Sequence, residues 1–259
     1  MRAARKLLAA AAAVAVLTLA GAGAWAAEEA KEPESRDWSF GGIFGTYDRT
    51  ELRRGFQVYQ EVCAVCHSAK FLSFRNLTEI GFSEDEAKAI ALEFTVQDGP
   101  DEEGEFYDRP ALLSDPYPQP YRNDNEARAA NNGAFPPDLS LMVRAREHGA
   151  DFIYALLAGY EDAPEDFELA DGMNYNPYYS GGGAQIAMPQ PLFEDMVEYA
   201  DGTPASVEQM SQDVSVFLTW LAIPELEDRN RLGFQVMLFL ALLTVMFYFV
   251  KRKVWRNVH

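Results

Sequence analysis

The chain of 259 residues is poor in sulfur nucleophiles: Cys63 and Cys66 are its two cysteines, so one disulfide is the most it can form. Positive charge is scarce across most of its length. All 40 acidic residues but only 14 of the 22 basic ones fall between residues 27 and 230, giving that stretch a net charge of −26. A surface of that sign repels nucleic acid, which is excluded as a partner, and repels anionic lipid. It speeds encounters with basic partners at low salt, and it also serves simple solubility. Strand-like alternation and internal repeats are missing too, which argues against an extended sheet or a solenoid.

Long apolar runs occur only at the two ends. Arg2, Arg5 and Lys6 precede an apolar stretch from Leu7 to about Ala24, and Ala24-Trp25-Ala26 has the small-x-small form of a signal-peptidase site. This reads as a secretory leader over residues 1–26. An uncleaved anchor is the alternative, disfavoured by the alanine-rich run and the acidic stretch Ala27–Glu34 that follows. The second run, Leu232–Val250, holds nineteen residues without a charge. At ~1.5 Å per residue it spans about 28 Å, close to the hydrocarbon thickness of a bilayer, whereas a buried core helix seldom needs so long a run. Lys251, Arg252, Lys253 and Arg256 follow it and are expected to stay on the cytoplasmic side. The expected plan is an exported body at 27–230, a transmembrane helix at 231–250 in a bacterial inner membrane, and a cytoplasmic tail at 251–259.

Within the body the apolar spacing predicts helices. Leu52, Phe56, Tyr59 and Cys63 recur at helical intervals after a start near Thr46 or Asp48. Ser83 and Glu86 have capping-box spacing ahead of a helix to Phe94, and Ser206 with Gln209 opens one that runs to Leu221 before Pro224. Asp138 is expected to cap a helix through Arg146, closed by Gly149, with a further apolar segment at Phe152–Leu157. Residues 98–125 and 159–205 read as long loops. So much loop in an all-α domain needs an organiser, and a large apolar cofactor would supply one.

Cys63-Ala64-Val65-Cys66-His67 is C-x-x-C-H. Two thiols at this spacing can each add to one vinyl group of a haem, and the next residue then lies beneath the iron. A redox disulfide is the alternative, but such sites sit in a βαβ setting and this segment reads as helical. One covalent haem c with His67 as axial iron ligand is therefore expected. For the sixth position the exported candidates are His148, Met142, Met173, Met188, Met196 and Met210. Met142 and Met210 fall in helical stretches and Met196 in an amphipathic piece, all compatible with ordinary packing. Met173 lies in a loop. Met188 precedes Pro189, which restricts it to extended backbone, so a loop can hold its thioether toward a metal. His148 reads instead as a helix C-terminal residue favouring the dipole. Thioether ligation raises the reduction potential and closes the iron to gases, which separates an electron carrier from a peroxidase or gas sensor.

Several segments together resemble cytochrome c1, the haem subunit of the ubiquinol–cytochrome c reductase complex, in its alphaproteobacterial form. They are Arg54-Gly55-Phe56-Gln57-Val58-Tyr59 ahead of C-x-x-C-H, Ala129 through Ser140, Tyr175-Asn176-Pro177-Tyr178, Ile186-Ala187-Met188-Pro189, and the single C-terminal anchor. The resemblance implies a class I cytochrome c-like haem domain with long loops. It implies Met188 as second axial ligand and a Pro137 carbonyl that accepts from the other ring nitrogen of His67. It also implies Arg146 against a haem propionate, with Asn131 in the same region. The acids of 98–106 (Asp98, Asp101, Glu102, Glu103 and Glu105) and of 161–168 would form docking surface. The implied role is electron carrier and not an enzyme on its own. Partners would be a cytochrome b subunit, a Rieske iron–sulfur protein, a basic cytochrome c acceptor and the lipid bilayer, in a dimeric complex. An anchored cytochrome c feeding a terminal oxidase is the alternative within the same chemistry.

Overall fold

The first helix starts where a carboxylate can serve its free amides. Asp48 accepts from the backbone of Thr50 at 2.7 Å and of Glu51 at 3.4 Å, opening helix α1 (Arg49–Glu61). The computed structural model in which this is seen describes residues 30–257; the leader expected at 1–26 and the end of the tail lie outside the described residues. Ser83 and Glu86 cap each other's backbone at 3.2 and 2.7 Å to start α2 (Glu84–Leu92). Short helices α3 (Asp124–Ala130) and α4 (Met142–Ala145) follow, then α5 (Gly149–Ala158), α6 (Val207–Ala222) and α7 (Leu226–Trp255).

The body is built on the crossing of α1 with α6, against which α5 also packs. At the crossing the helices touch backbone to backbone. A Cβ on Gly55 would stand 2.1 Å from the Asp213 carbonyl oxygen and 2.7 Å from the Phe217 Cβ, so only glycine fits. Beside it Arg54 grips the wholly buried Asp213 carboxylate through Nε and Nη2 at 2.9 and 2.8 Å, and reaches Asp201 through Nη1 at 3.0 Å. Gln209 Nε2 lies 3.1 Å from both Asp213 oxygens. Next to this pair runs a continuous aromatic core of Phe56, Tyr59, Phe217, Tyr117, Phe74 and Phe94, whose ring centroids lie 5.2–6.1 Å apart.

The expected all-α class is corrected in detail. Among the described residues two small antiparallel pairs occur: β1 (Thr95–Asp98) with β2 (Tyr107–Pro110), and β3 (Asn174–Tyr175) with β4 (Gln185–Ile186). The second lies wholly within the loop expected at 159–205, whereas the first overlaps the loop expected at 98–125 only from Asp98 onward. Its residues are largely polar and exposed, so no apolar alternation announces it. It is tied instead by Arg109, which pairs with Asp98 across the strands and with Asp115 at 2.6 and 3.1 Å. The helix expected from Asp138 to Arg146 shrinks to α4, because the Asp138 side chain is engaged elsewhere. Gly149 opens α5 rather than closing a helix, with His148 before it in the left-handed region at φ 62°. His148 therefore stands at a helix N-terminus, not at the C-terminus expected.

Helix α7 is continuous from Leu226 to Trp255, so the boundary placed at 231 falls inside it. Its apolar side chains are exposed along the uncharged run, Leu243 alone being half-buried. Thirty residues at ~1.5 Å each make about 45 Å, enough to cross a bilayer and project at both ends. The polar start is fastened to the body: Arg49 forks onto Glu227 at 3.0 and 2.8 Å, and the Glu227 Oε1 accepts the Tyr47 amide at 2.7 Å.

Candidate haem site

After α1 the chain tightens into a 3-10 turn, Cys63–Val65, in which the amides of Cys66 and His67 both donate to the Cys63 carbonyl, at 3.1 and 2.8 Å. Neither cysteine is in a disulfide. Burial and the neighbouring Cys66 sulfur push the Cys63 thiol up to about 12.

His67 is oriented by the segment that follows α3. Its Nδ1 lies 2.8 Å from the Pro137 carbonyl oxygen. A carbonyl only accepts, so Nδ1 carries the proton and Nε2 keeps its lone pair. Burial lowers the ring's pKa against the opposing influence of the Pro137 contact and of Asp138, which keeps the imidazole neutral as a metal ligand must be. The segment that holds Pro137 is itself stitched to the residues after His67. Leu139 donates its amide to the Ser68 carbonyl at 2.8 Å, and the Phe71 amide donates to Ser140 Oγ at 3.0 Å. Asp138 accepts from Ser68 Oγ at 2.7 Å, the Lys70 amide at 2.9 Å and the Ser140 amide at 3.0 Å.

These donors set a pH dependence. Burial raises the Asp138 pKa, but the hydrogen bonds from Ser68, Lys70 and Ser140 outweigh it and hold the carboxyl below its ordinary value. A depressed folded pKa adds stability that is present above the unfolded value of about 4 and is lost as pH falls through the folded one. Asp138→Asn turns an amide donor against donors. It should cost on the order of 1–3 kcal/mol at pH 7 in a denaturant titration, and the gap to the parent should close below about pH 4. A gap that stays constant with pH would refute the linkage.

Met188 lies on the other limb. It is half-buried and packs on the core cluster that Cys63 and Ala64 also touch. Its carbonyl oxygen accepts from the Tyr160 hydroxyl at 3.0 Å and from Asn174 Nδ2 at 3.3 Å. Asn176 is fully buried, donates to the Leu156 carbonyl of α5 at 2.8 Å, and takes the Ala184 carbonyl through its own amide at 2.8 Å. The β3–β4 pair is thus pinned to α5, and Met188 leaves it two residues later, held through its backbone carbonyl. Tyr160, Asn174 and Asn176 escaped the sequence reading as positioning residues. Tyr160 and Asn174 gave only the signal of polar residues in a loop-rich stretch, and Asn176 stood within a motif of the resemblance without a role of its own.

The other methionines are placed differently. Met210 is wholly buried in α6, Met142 packs against the core, and Met196 is exposed with its sulfur 3.2 Å from the Phe193 amide. Arg146 is exposed, with no side-chain partner among the described residues. Asn131 commits its amide nitrogen to the Ala127 carbonyl at 2.7 Å and the Tyr121 hydroxyl at 3.0 Å, bracing its own loop. Of the acids expected to dock a partner, Asp98 is paired with Arg109, and Asp101 accepts the amides of Glu103 and Glu105 at 2.9 Å each; Glu102, Glu103 and Glu105 are exposed.

The donor set fits a haem. Among the described residues no cluster of three or more His, Cys, Asp or Glu is arranged for a metal ion, so these cysteines and His67 do not read as a protein-only metal site. Two unpaired thiols, a neutral imidazole with Nε2 free, and exposed apolar side chains flanking both segments (Val65, Phe71, Phe135 and Leu141) suit an apolar macrocycle. The fold and site define a c-type haem protein with one apolar C-terminal helix.

Residues 38–258 match the model of the Cytochrome C1 family, and the chain belongs to that family of electron-carrying haem proteins. Similar curated proteins include the mitochondrial "Cytochrome c1 1, heme protein" of Arabidopsis thaliana, 46% identical over 88% of this chain and 74% of its own length. The mitochondrial "Cytochrome b-c1 complex catalytic subunit" of Candida albicans is 48% identical over 90% of this chain and 81% of its own. The mitochondrial "Cytochrome c1, heme protein" of Saccharomyces cerevisiae is 47% identical over 90% and 75%.

Proposed function

We propose that this chain is the haem-bearing electron carrier of a ubiquinol–cytochrome c reductase. It takes one electron from a Rieske iron–sulfur protein and passes it to a basic cytochrome c. The observation that supports this is that both expected ligand positions are held by hydrogen bonds, His67 through Pro137 and Met188 through Tyr160 and Asn174, with Met188 packed on the core cluster that Cys63 also touches. Cys63 and Cys66 would attach the haem by thioether bonds, and His67 Nε2 and the Met188 sulfur would ligate its iron. Arg146, without another side-chain partner among the described residues, would meet a propionate. Bound, the haem supplies a reversible one-electron centre. The protein's part is to keep both ligands in place through the redox change, so that little reorganises when an electron arrives, and to leave no position open for oxygen or peroxide.

Helix α7 would cross the membrane beside a cytochrome b subunit, in a complex that is a dimer. The leader expected at 1–26 and the basic residues after Val250 support a body on the periplasmic side of a bacterial inner membrane and a tail in the cytoplasm. The exposed acids of 102–105 and 161–168 would favour a basic acceptor.

Purification from native membranes through a C-terminal tag tests the reading. A cytochrome b and a Rieske protein should co-purify, and haem should remain on the chain after denaturation. Recovery with a terminal oxidase alone would reject the assignment. Rapid binding of carbon monoxide to the reduced protein would reject the closed iron.

A further inference from the structure

Ten consecutive residues, Trp38–Tyr47, carry no charge, in a body whose net charge is −26. They form a closed loop. Thr46 donates its amide to the Ser39 carbonyl at 3.1 Å across the base, and Gly41 donates to the Trp38 carbonyl at 2.9 Å. Gly45 sits where a Cβ would stand 2.1 Å from the Phe40 carbonyl oxygen, so the loop closes this tightly only with glycine. Its base is fixed to the body: Trp38 Nε1 donates to Asp151 at 2.7 Å, and the Tyr47 hydroxyl donates to the Ile223 carbonyl at 3.0 Å. Its tip is Ile43-Phe44, 74% and 71% exposed, the most exposed large apolar side chains of the described residues.

The tip lies against helix α7. The Phe44 ring meets the Phe234 ring edge to face, with centroids 5.9 Å apart. Phe234 is the third residue of the uncharged run that begins at Leu232. Three residues of helix descend only ~4.5 Å, so a ring beside Phe234 sits at the level where headgroups give way to acyl chains. Aromatic and large aliphatic side chains favour that depth. The acidic body would be repelled by anionic headgroups, but the loop presents none of that charge.

We propose that the Trp38–Tyr47 loop is a second membrane contact, inserting Ile43 and Phe44 into the lipid boundary beside α7. This rests on α7 crossing the bilayer. A helix alone leaves the body free to rotate about its axis. A second apolar contact off that axis fixes which face of the haem domain looks along the membrane surface, and the ties to Asp151 and Ile223 carry that constraint into α5 and α6.

Nitroxide labels in the full-length, haem-loaded chain in phosphatidylcholine/phosphatidylglycerol nanodiscs test this. Labels go on Ile43→Cys, on Met246→Cys within the span, and on Glu102→Cys at the exposed end of the β1–β2 pair. At position 43 collisions with oxygen should exceed those with a water-soluble nickel chelate several-fold, as at 246, and the reverse should hold at 102. If 43 behaves like 102 while 246 remains lipid-exposed, the second contact is wrong and the anchor stands. If 246 also reports water, the anchor fails and this inference with it. In the intact complex, shielding of position 43 from both reagents would mean that protein covers the tip, which overturns lipid as its occupant.

Discussion

Replacing Met188 by leucine should lower the reduction potential by roughly 0.2–0.4 V, a large part of the ~0.8 V range that axial ligands span. The substitution keeps volume and apolarity, so packing is nearly conserved and the thioether alone is lost. Redox titration of the purified chain measures it directly, and the near-infrared band of thioether-ligated ferric haem should vanish with the same change. The reduced variant should also bind carbon monoxide. An unchanged potential would move the ligand elsewhere, with Met173, in the turn before β3, next in line. The grip on the Met188 carbonyl makes an intermediate case. Tyr160→Phe with Asn174→Ala removes both donors yet leaves the sulfur. That variant should show a mixture of closed and open iron, where a purely structural role would leave the band intact and lower only stability.

Arg54→Met should destabilise the body by about 3–5 kcal/mol, out of a total of about 5–15 typical for a domain. Asp213 is wholly buried, and without the guanidinium its charge is left with the Gln209 amide 3.1 Å away and the nearby Tyr199 hydroxyl. The ion pair itself is not what makes the loss large. Removing both charges in Arg54→Met/Asp213→Leu should restore most of it, since an apolar pair of similar volume escapes the desolvation that a buried charge must bear. Denaturant unfolding in detergent, followed by haem absorbance and helical signal together, gives both values. A loss below 1 kcal/mol for the single change would mean that the pair behaves as an exposed one. This pair also accounts for two charged residues within otherwise apolar helix faces. They hold α1 and α6 in one register at the point where Gly55 lets the backbones meet, which sets where α1 ends and thus where Cys63 begins.

Local sequence decided the features whose physics is local. C-x-x-C-H is chemistry at fixed spacing, so a covalent haem could be read, and His67 proposed as its ligand, without a fold. The uncharged run from Leu232 to Val250 is a statement about length and transfer energy, complete in itself. Ser83 with Glu86 and Ser206 ahead of α6 are caps formed within four residues, and the structure has both. Asp138 looked like a third such cap, and the same rule failed there. Its carboxylate found better donors in Ser68 and the Lys70 amide, seventy and sixty-eight residues away in sequence, and a capping rule sees only neighbours.

Tertiary structure decided what depends on distant partners. The Arg109 ties that make a hairpin of polar residues leave no periodic trace, nor do the buried Asn176 that fastens the Met188 limb to α5 and the meeting of Phe44 with Phe234. The identity of a haem protein was therefore written in a handful of adjacent residues. The geometry that we propose would keep its iron closed, and the second foot that we place on the membrane, rest on hydrogen bonds and ring contacts between segments that only folding brings together.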